Sequence, residues 1–137
     1  MSANKFALLL LSVSLFGVPV HAQLAIEPGT ENDVTFVSGG VGEEGVQAIR
    51  EIEGDYNLRL LFAVQGSGNY LSLVRVKISD RRGSTLIDTL SNGPYFLAKL
   101  SPGSYQIAAE SDGRSITKRA DISPGHAVSE SLYWPAE

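Results

Sequence analysis

The chain has 137 residues, eleven basic and fifteen acidic side chains, a net charge of −4 and no cysteine. An acidic balance with scattered basic residues argues against nucleic acid and anionic lipid as partners, and a chain without cysteine has neither disulfides nor thiolate chemistry. At 43% hydrophobic residues it carries apolar material for one core of ordinary domain size.

Lys5 precedes the apolar run "FALLLLSVSLFGV" at 6–18, and Pro19 breaks it before "VHA", with small residues at Val20 and Ala22. This is the pattern of a secretory signal cleaved between Ala22 and Gln23. A membrane anchor is the alternative, but a spanning helix needs roughly 20 apolar residues and this run is shorter. Removing 22 of the 137 residues leaves 115 and takes Lys5 away, so ten basic and fifteen acidic residues give a mature charge of −5. The expected compartment is the periplasm of a Gram-negative bacterium, with no stable membrane insertion after cleavage; release to the medium is the alternative.

Residues 23–33, "QLAIEPGTEND", read as a loose polar arm. "VTFVS" (34–38) is a short strand candidate. "GGVGEEG" then leads into a helix on which Val46, Ile49, Ile52 and Tyr56 recur at helical spacing. Glu43 and Glu44 fall in its first turn, where the dipole favours acid, and Gly54 is a plausible stop. Gly45 inside the helix costs about 1 kcal/mol relative to alanine, so the helix is expected to be short and held by packing.

After Asn57 the hydrophobic period falls from 3.6 to 2. Seven strand candidates follow: 58–64, 74–78, 85–90, 95–100, 105–109, 115–122 and 127–134. Turn signals separate them. "DRRG" at 80–83 has the Asp-first, Gly-last form of a type I turn, and Asp112-Gly113 is a strong hairpin signal. Such spacing predicts a mainly β fold: a seven-stranded antiparallel Greek-key β-sandwich with one short N-terminal helix. The division expected is 1–22 signal peptide, 23–57 arm, strand and helix, and 58–137 sandwich.

Leu100-Ser101-Pro102-Gly103-Ser104-Tyr105 carries the parts of a tyrosine corner. Leu100 ends one core-facing run, Pro102 fixes φ and Gly103 is expected to take a positive-φ conformation that other residues resist. The chain is expected to cross between sheets here, with the Tyr105 hydroxyl bonding back to the bend.

From Val74-Arg75-Val76 through Gly83 and Phe96 to this corner, the sequence resembles the carboxypeptidase regulatory-like domains, the transthyretin-like or carbohydrate-binding-like sandwich group. The signal, "VSGGVGEE" and this core are also similar to small exported proteobacterial proteins of unassigned function. The resemblance spans roughly 58–134 and implies a sandwich that serves as a scaffold, adhesion or binding module. The transthyretin-like hydrolases of the group use paired His and Arg residues and a Tyr-Arg-Gly-Ser type of C-terminus. This chain ends "LYWPAE", and His126 is the one histidine after residue 22.

No catalytic set is expected. His126 follows Pro124-Gly125 and reads as a solvated turn residue. Asp80 and Asp112 lack calcium-loop spacing, and turn chemistry explains both. "GGVGEE" lacks the Lys-Ser/Thr of a phosphate loop and reads as a strand-to-helix connection. The remaining hint is aromatic. If Phe96 faces the core, alternation turns Tyr95 outward; Tyr70 follows the "GSGN" turn; Trp134 either presents a stacking surface or plugs the sandwich base. Tyr70, Tyr95 and Trp134 are thus the candidate contacts for a protein or saccharide of the envelope. The expected protein is a monomeric, non-catalytic binding or structural module without metal or cofactor. An accessory or inhibitor subunit docking on another exported protein is the alternative, and a transthyretin-like hydrolase a more distant one.

Overall fold

The computed structural model describes residues 25–136; the expected signal peptide and its cleavage site lie outside the described residues. In chain order the elements are β1 (Ile26–Glu31), β2 (Val34–Gly39), α1 (Gly42–Ile52), a short 3-10 turn (Glu53–Asp55), β3 (Leu58–Val64) and β4 (Val74–Asp80). β5 (Thr85–Ser91), β6 (Tyr95–Ala98), β7 (Gly103–Ser111), β8 (Arg114–Ile122) and β9 (Val128–Trp134) complete the chain. They build a five-stranded sheet, β1-β2-β6-β3-β9, and a four-stranded sheet, β5-β4-β7-β8.

The two-residue alternation expected from 58 onward is what packs these sheets face to face. Leu58, Leu60 and Phe62 of β3 and Phe96 of β6 meet Val74, Val76 and Ile78 of β4 and Ile107 of β7 in one core. Phe36 stacks on Phe96 at 5.4 Å between centroids, and Phe62 meets Trp134 edge-on at 5.9 Å. Each such side chain taken from water contributes about 1.5–3 kcal/mol.

The structure corrects three expectations. Nine strands form among the described residues, because residues 26–31 form β1 and are no loose arm. Asn32 and Asp33 both take positive φ, at 47° and 63°, in a two-residue turn that pairs Glu31 with Val34. Pro28 fits because β1 is an edge strand, where its missing donor costs nothing, and Gly29 fits because a Cβ there would overlap the Phe36 ring. β2 pairs in turn with β6, so residues on both sides of position 57 share one sheet. The pairing is also not wholly antiparallel: β9 runs parallel to β3 from Leu58–Val128 to Val64–Trp134.

The corner forms as the sequence predicts. β6 lies in one sheet and β7 in the other, and the Tyr105 hydroxyl donates to the Ser101 carbonyl at 2.6 Å. Asn57 secures the same crossing: its side-chain nitrogen donates to Leu100 O at 2.7 Å and its Oδ1 accepts from Leu100 N at 2.8 Å. Gly103 differs from expectation. Its φ of 158° is close to extended, and an added Cβ would sit at ordinary contact distance, 3.7 Å, from the Tyr105 ring. The hairpin signal holds: Asp112 and Gly113 take φ of 50° and 74° between the paired Ser111 and Arg114, the mirror-image turn that matches strand twist.

Candidate functional site

The helix α1 lies on the outer face of the five-stranded sheet, opposite the core. Its apolar stripe does this: Ile49, with Ile52 and Tyr56 beyond it, packs on Val37 and Leu97, and Tyr95 borders the same cluster. Gly45 is buried because its turn rests on the backbone of Gly40, 3.0 Å from where a Cβ would stand. The helix-weakening glycine is therefore a packing requirement.

Alternation places Tyr95 on this outer face, as Phe96 is wholly buried in the core. It is not free there: Tyr95 is half-buried over the connection between β2 and α1. A Cβ on Gly40 would overlap its ring, and one on Gly93 would overlap the Gly39 carbonyl. Gly40 thus makes room for the Tyr95 ring, and Gly93, in the turn before β6, makes room for the Gly39 backbone. The sequence reading of "GGVGEE" as a plain strand-to-helix connection missed the role of Gly40.

Tyr70 reaches the same place by a different route. β6 ends its pairing with β3 at Leu61–Tyr95. Residues 69–71 then continue alongside β3: Val64 N donates to Asn69 O and Leu71 N to Phe62 O, with Tyr70 opposite Ala63. Leu61 and Ala63 are two apart, so their partners Tyr95 and Tyr70 stand on one face about 6–7 Å apart along the strand. The rings meet edge to face at 6.1 Å and 62°, a favoured aromatic geometry. Burial raises the Tyr95 hydroxyl above its ordinary pKa, and the neighbouring Tyr70 hydroxyl adds to the shift. The Arg50 charge opposes it and Glu53 adds to it. The structure thus joins two of the three residues that the sequence singled out.

Beside the pair runs a cleft of about 530 Å³. Gly40 and Gly42 line it on the connection side, Glu43, Gln47 and Arg50 on the helix side, and the Tyr70 ring opposite. Tyr70 is 57% exposed, and exposed Val41 and Tyr133 lie nearby in the pairing: Val41 between the two glycines, Tyr133 across β3 from Tyr70 through Ala63. No sequence signal points to the helix contributors, since nothing local ties residues 43–50 to residue 70.

Trp134 does not belong to this surface. It is 4% exposed, packs on Phe62 and donates its indole N–H to Arg114 O at 2.9 Å. It plugs the sandwich, the second of the two expectations held for it, and is corrected as a contact residue. Asp80 serves its turn, its Oδ1 accepting from Arg82 N and Ser84 N at 2.9 and 3.0 Å. Among the described residues no group of three or more His, Asp or Glu is placed to hold a metal, and no helix is long and apolar enough to cross a membrane.

No protein-family model matches the chain, and no curated protein matches it.

Proposed function

We propose that the protein is an exported, non-catalytic saccharide-binding module of the cell envelope, and that the cleft between α1 and Tyr70 takes the sugar. One observation carries this reading: an exposed tyrosine ring, braced by a second ring at 6.1 Å, faces a carboxylate, an amide and a guanidinium across a cleft. A sugar has apolar C–H faces that stack on such a ring and vicinal hydroxyls that suit planar polar side chains. Tyr70 supplies the platform, Tyr95 holds it in place, and Glu43, Gln47 and Arg50 supply acceptors and donors.

Three further parts of the proposal rest on sequence. Lys5, the apolar run and "VHA" support export to the periplasm with cleavage after Ala22. The Leu100–Tyr105 corner supports a Greek-key sandwich of the carboxypeptidase regulatory-like kind. The single histidine after residue 22, His126, lies exposed on a turn and supports a binding module rather than a hydrolase; no cofactor is invoked, and the monomer suffices for the cleft.

A second reading, an accessory or inhibitor subunit that docks on an exported protein, is favoured by Val41 and Tyr133, 64% and 51% exposed on the same side. A glycan array probed with wild type and with Tyr70→Ala separates the two. Retained glycans that vanish with Tyr70→Ala support the saccharide reading. An array without retained glycans, together with capture of a defined periplasmic protein lost in Val41→Ser, supports the docking reading.

A further inference from the structure

We propose that the opposite end of the same sheet face is a second site, independent of the aromatic cleft, and that it binds a tetrahedral oxyanion of the phosphate type. Its residues come from three chain segments. Arg59 of β3 pairs with Leu97 of β6, so Lys99, two residues on, is its diagonal neighbour on the same face. Such neighbours lie about 7–8 Å apart, within reach of long side chains. β9 begins beside β3: Val128 N donates to Asn57 O at 2.8 Å, which brings the 123–127 turn and its His126 to the same place. Arg59, Lys99 and His126 line one cleft of about 480 Å³, with Asn57, Ser123 and Asp55.

Two features point to an anion. Arg59 Nε is excluded from solvent and has no acceptor among the described residues, although a buried N–H is ordinarily paired. Lys99 stands diagonal to it, and like charges so placed repel. The ion pairs formed among the described residues are Arg75–Asp88 and Arg119–Asp121, both elsewhere. Asp55, on the exposed rim, is the one carboxylate lining the cleft, so two permanent cations face one acid in a chain whose net charge is −4. A guanidinium fork takes two oxygens of a phosphate. Lys99 and His126 line the same cleft from two other chain segments, and a donor set larger than one guanidinium fork suits a tetrahedral anion with more than two acceptors better than a planar carboxylate.

The test is an amide-resolved NMR titration of the purified protein with inorganic phosphate at constant ionic strength. Saturable shifts confined to residues 55–59, 97–101 and 123–128 are expected. Lys99→Gln, an exposed change, and Arg59→Gln should each weaken binding about tenfold or more, while Arg119→Gln on the other sheet should not. Acetate should bind at least tenfold more weakly than phosphate. A sugar phosphate tighter than inorganic phosphate would place the anion on a larger ligand, and equal affinity would make the free ion the ligand; both support the site. Shifts that do not saturate or that centre elsewhere, wild-type affinity in folded Lys99→Gln, or acetate as tight as phosphate would overturn it.

Discussion

The Tyr105 hydroxyl donates to the Ser101 carbonyl four residues back, at 2.6 Å, and this single bond closes the bend by which the chain leaves one sheet for the other. Ser101 is itself exposed, so water can replace the lost donor. Tyr105→Phe is therefore expected to cost about 0.5–1.5 kcal/mol, towards the lower end. Denaturant melts would check this, and an unchanged midpoint would show that the corner bond contributes nothing.

Asn57 is expected to matter more. Its side chain bonds both the N–H and the C=O of Leu100, and Leu100 is buried in the core. Asn57→Ala leaves both groups without their partner, at about 1–3 kcal/mol for each group that water cannot reach. Equilibrium unfolding should rank Asn57→Ala clearly below Tyr105→Phe. The reverse order would contradict the role given to Asn57.

Stability should fall in alkali. Burial raises the pKa of Tyr105 above 10.0, with the Asp80 charge adding to it, and burial also raises that of Tyr95. Above pH 10 the unfolded chain releases these protons while the native one keeps them, so unfolding gains. The contribution is complete below pH 10 and is lost as pH rises through the native values, by at most about 1.4 kcal/mol per pH unit per group. Tyr105→Phe should flatten this fall; an equally steep curve would remove Tyr105 as a cause.

Trp134 is the only tryptophan and sits against Phe62, so native fluorescence should be blue-shifted and resistant to polar quenchers. Trp134→Ala should cost about 3–5 kcal/mol. Solvent-like emission from the folded protein would return Trp134 to the surface.

What the sequence reveals and hides follows from range. The strands from Leu58 onward, the Asp112-Gly113 turn and the Tyr105 corner are written in patterns a few residues long, and they appear where expected. β1 was hidden because Pro28-Gly29 reads as a break, although an edge strand tolerates Pro28 and the Phe36 ring requires Gly29. The parallel partnership of β3 and β9 joins segments about seventy residues apart, and no local signal encodes it. The same holds for the cleft. Alternation gave the outward direction of Tyr95, but the burial of Trp134 arises only when the two sheets close around Phe62 and Arg114, and the approach of Gln47 and Arg50 to Tyr70 only when the helix settles on the sheet.

The most direct test of the central claim is an NMR titration with chito- and cello-oligosaccharides, comparing wild type with Tyr70→Ala. The account predicts saturable shifts centred on residues 40–50, 69–71 and 95. It also predicts that Tyr70→Ala, folded as wild type, loses about 2 kcal/mol or more of binding, roughly thirtyfold. Shifts centred on the four-stranded sheet, or equal affinity in the two proteins, would contradict it.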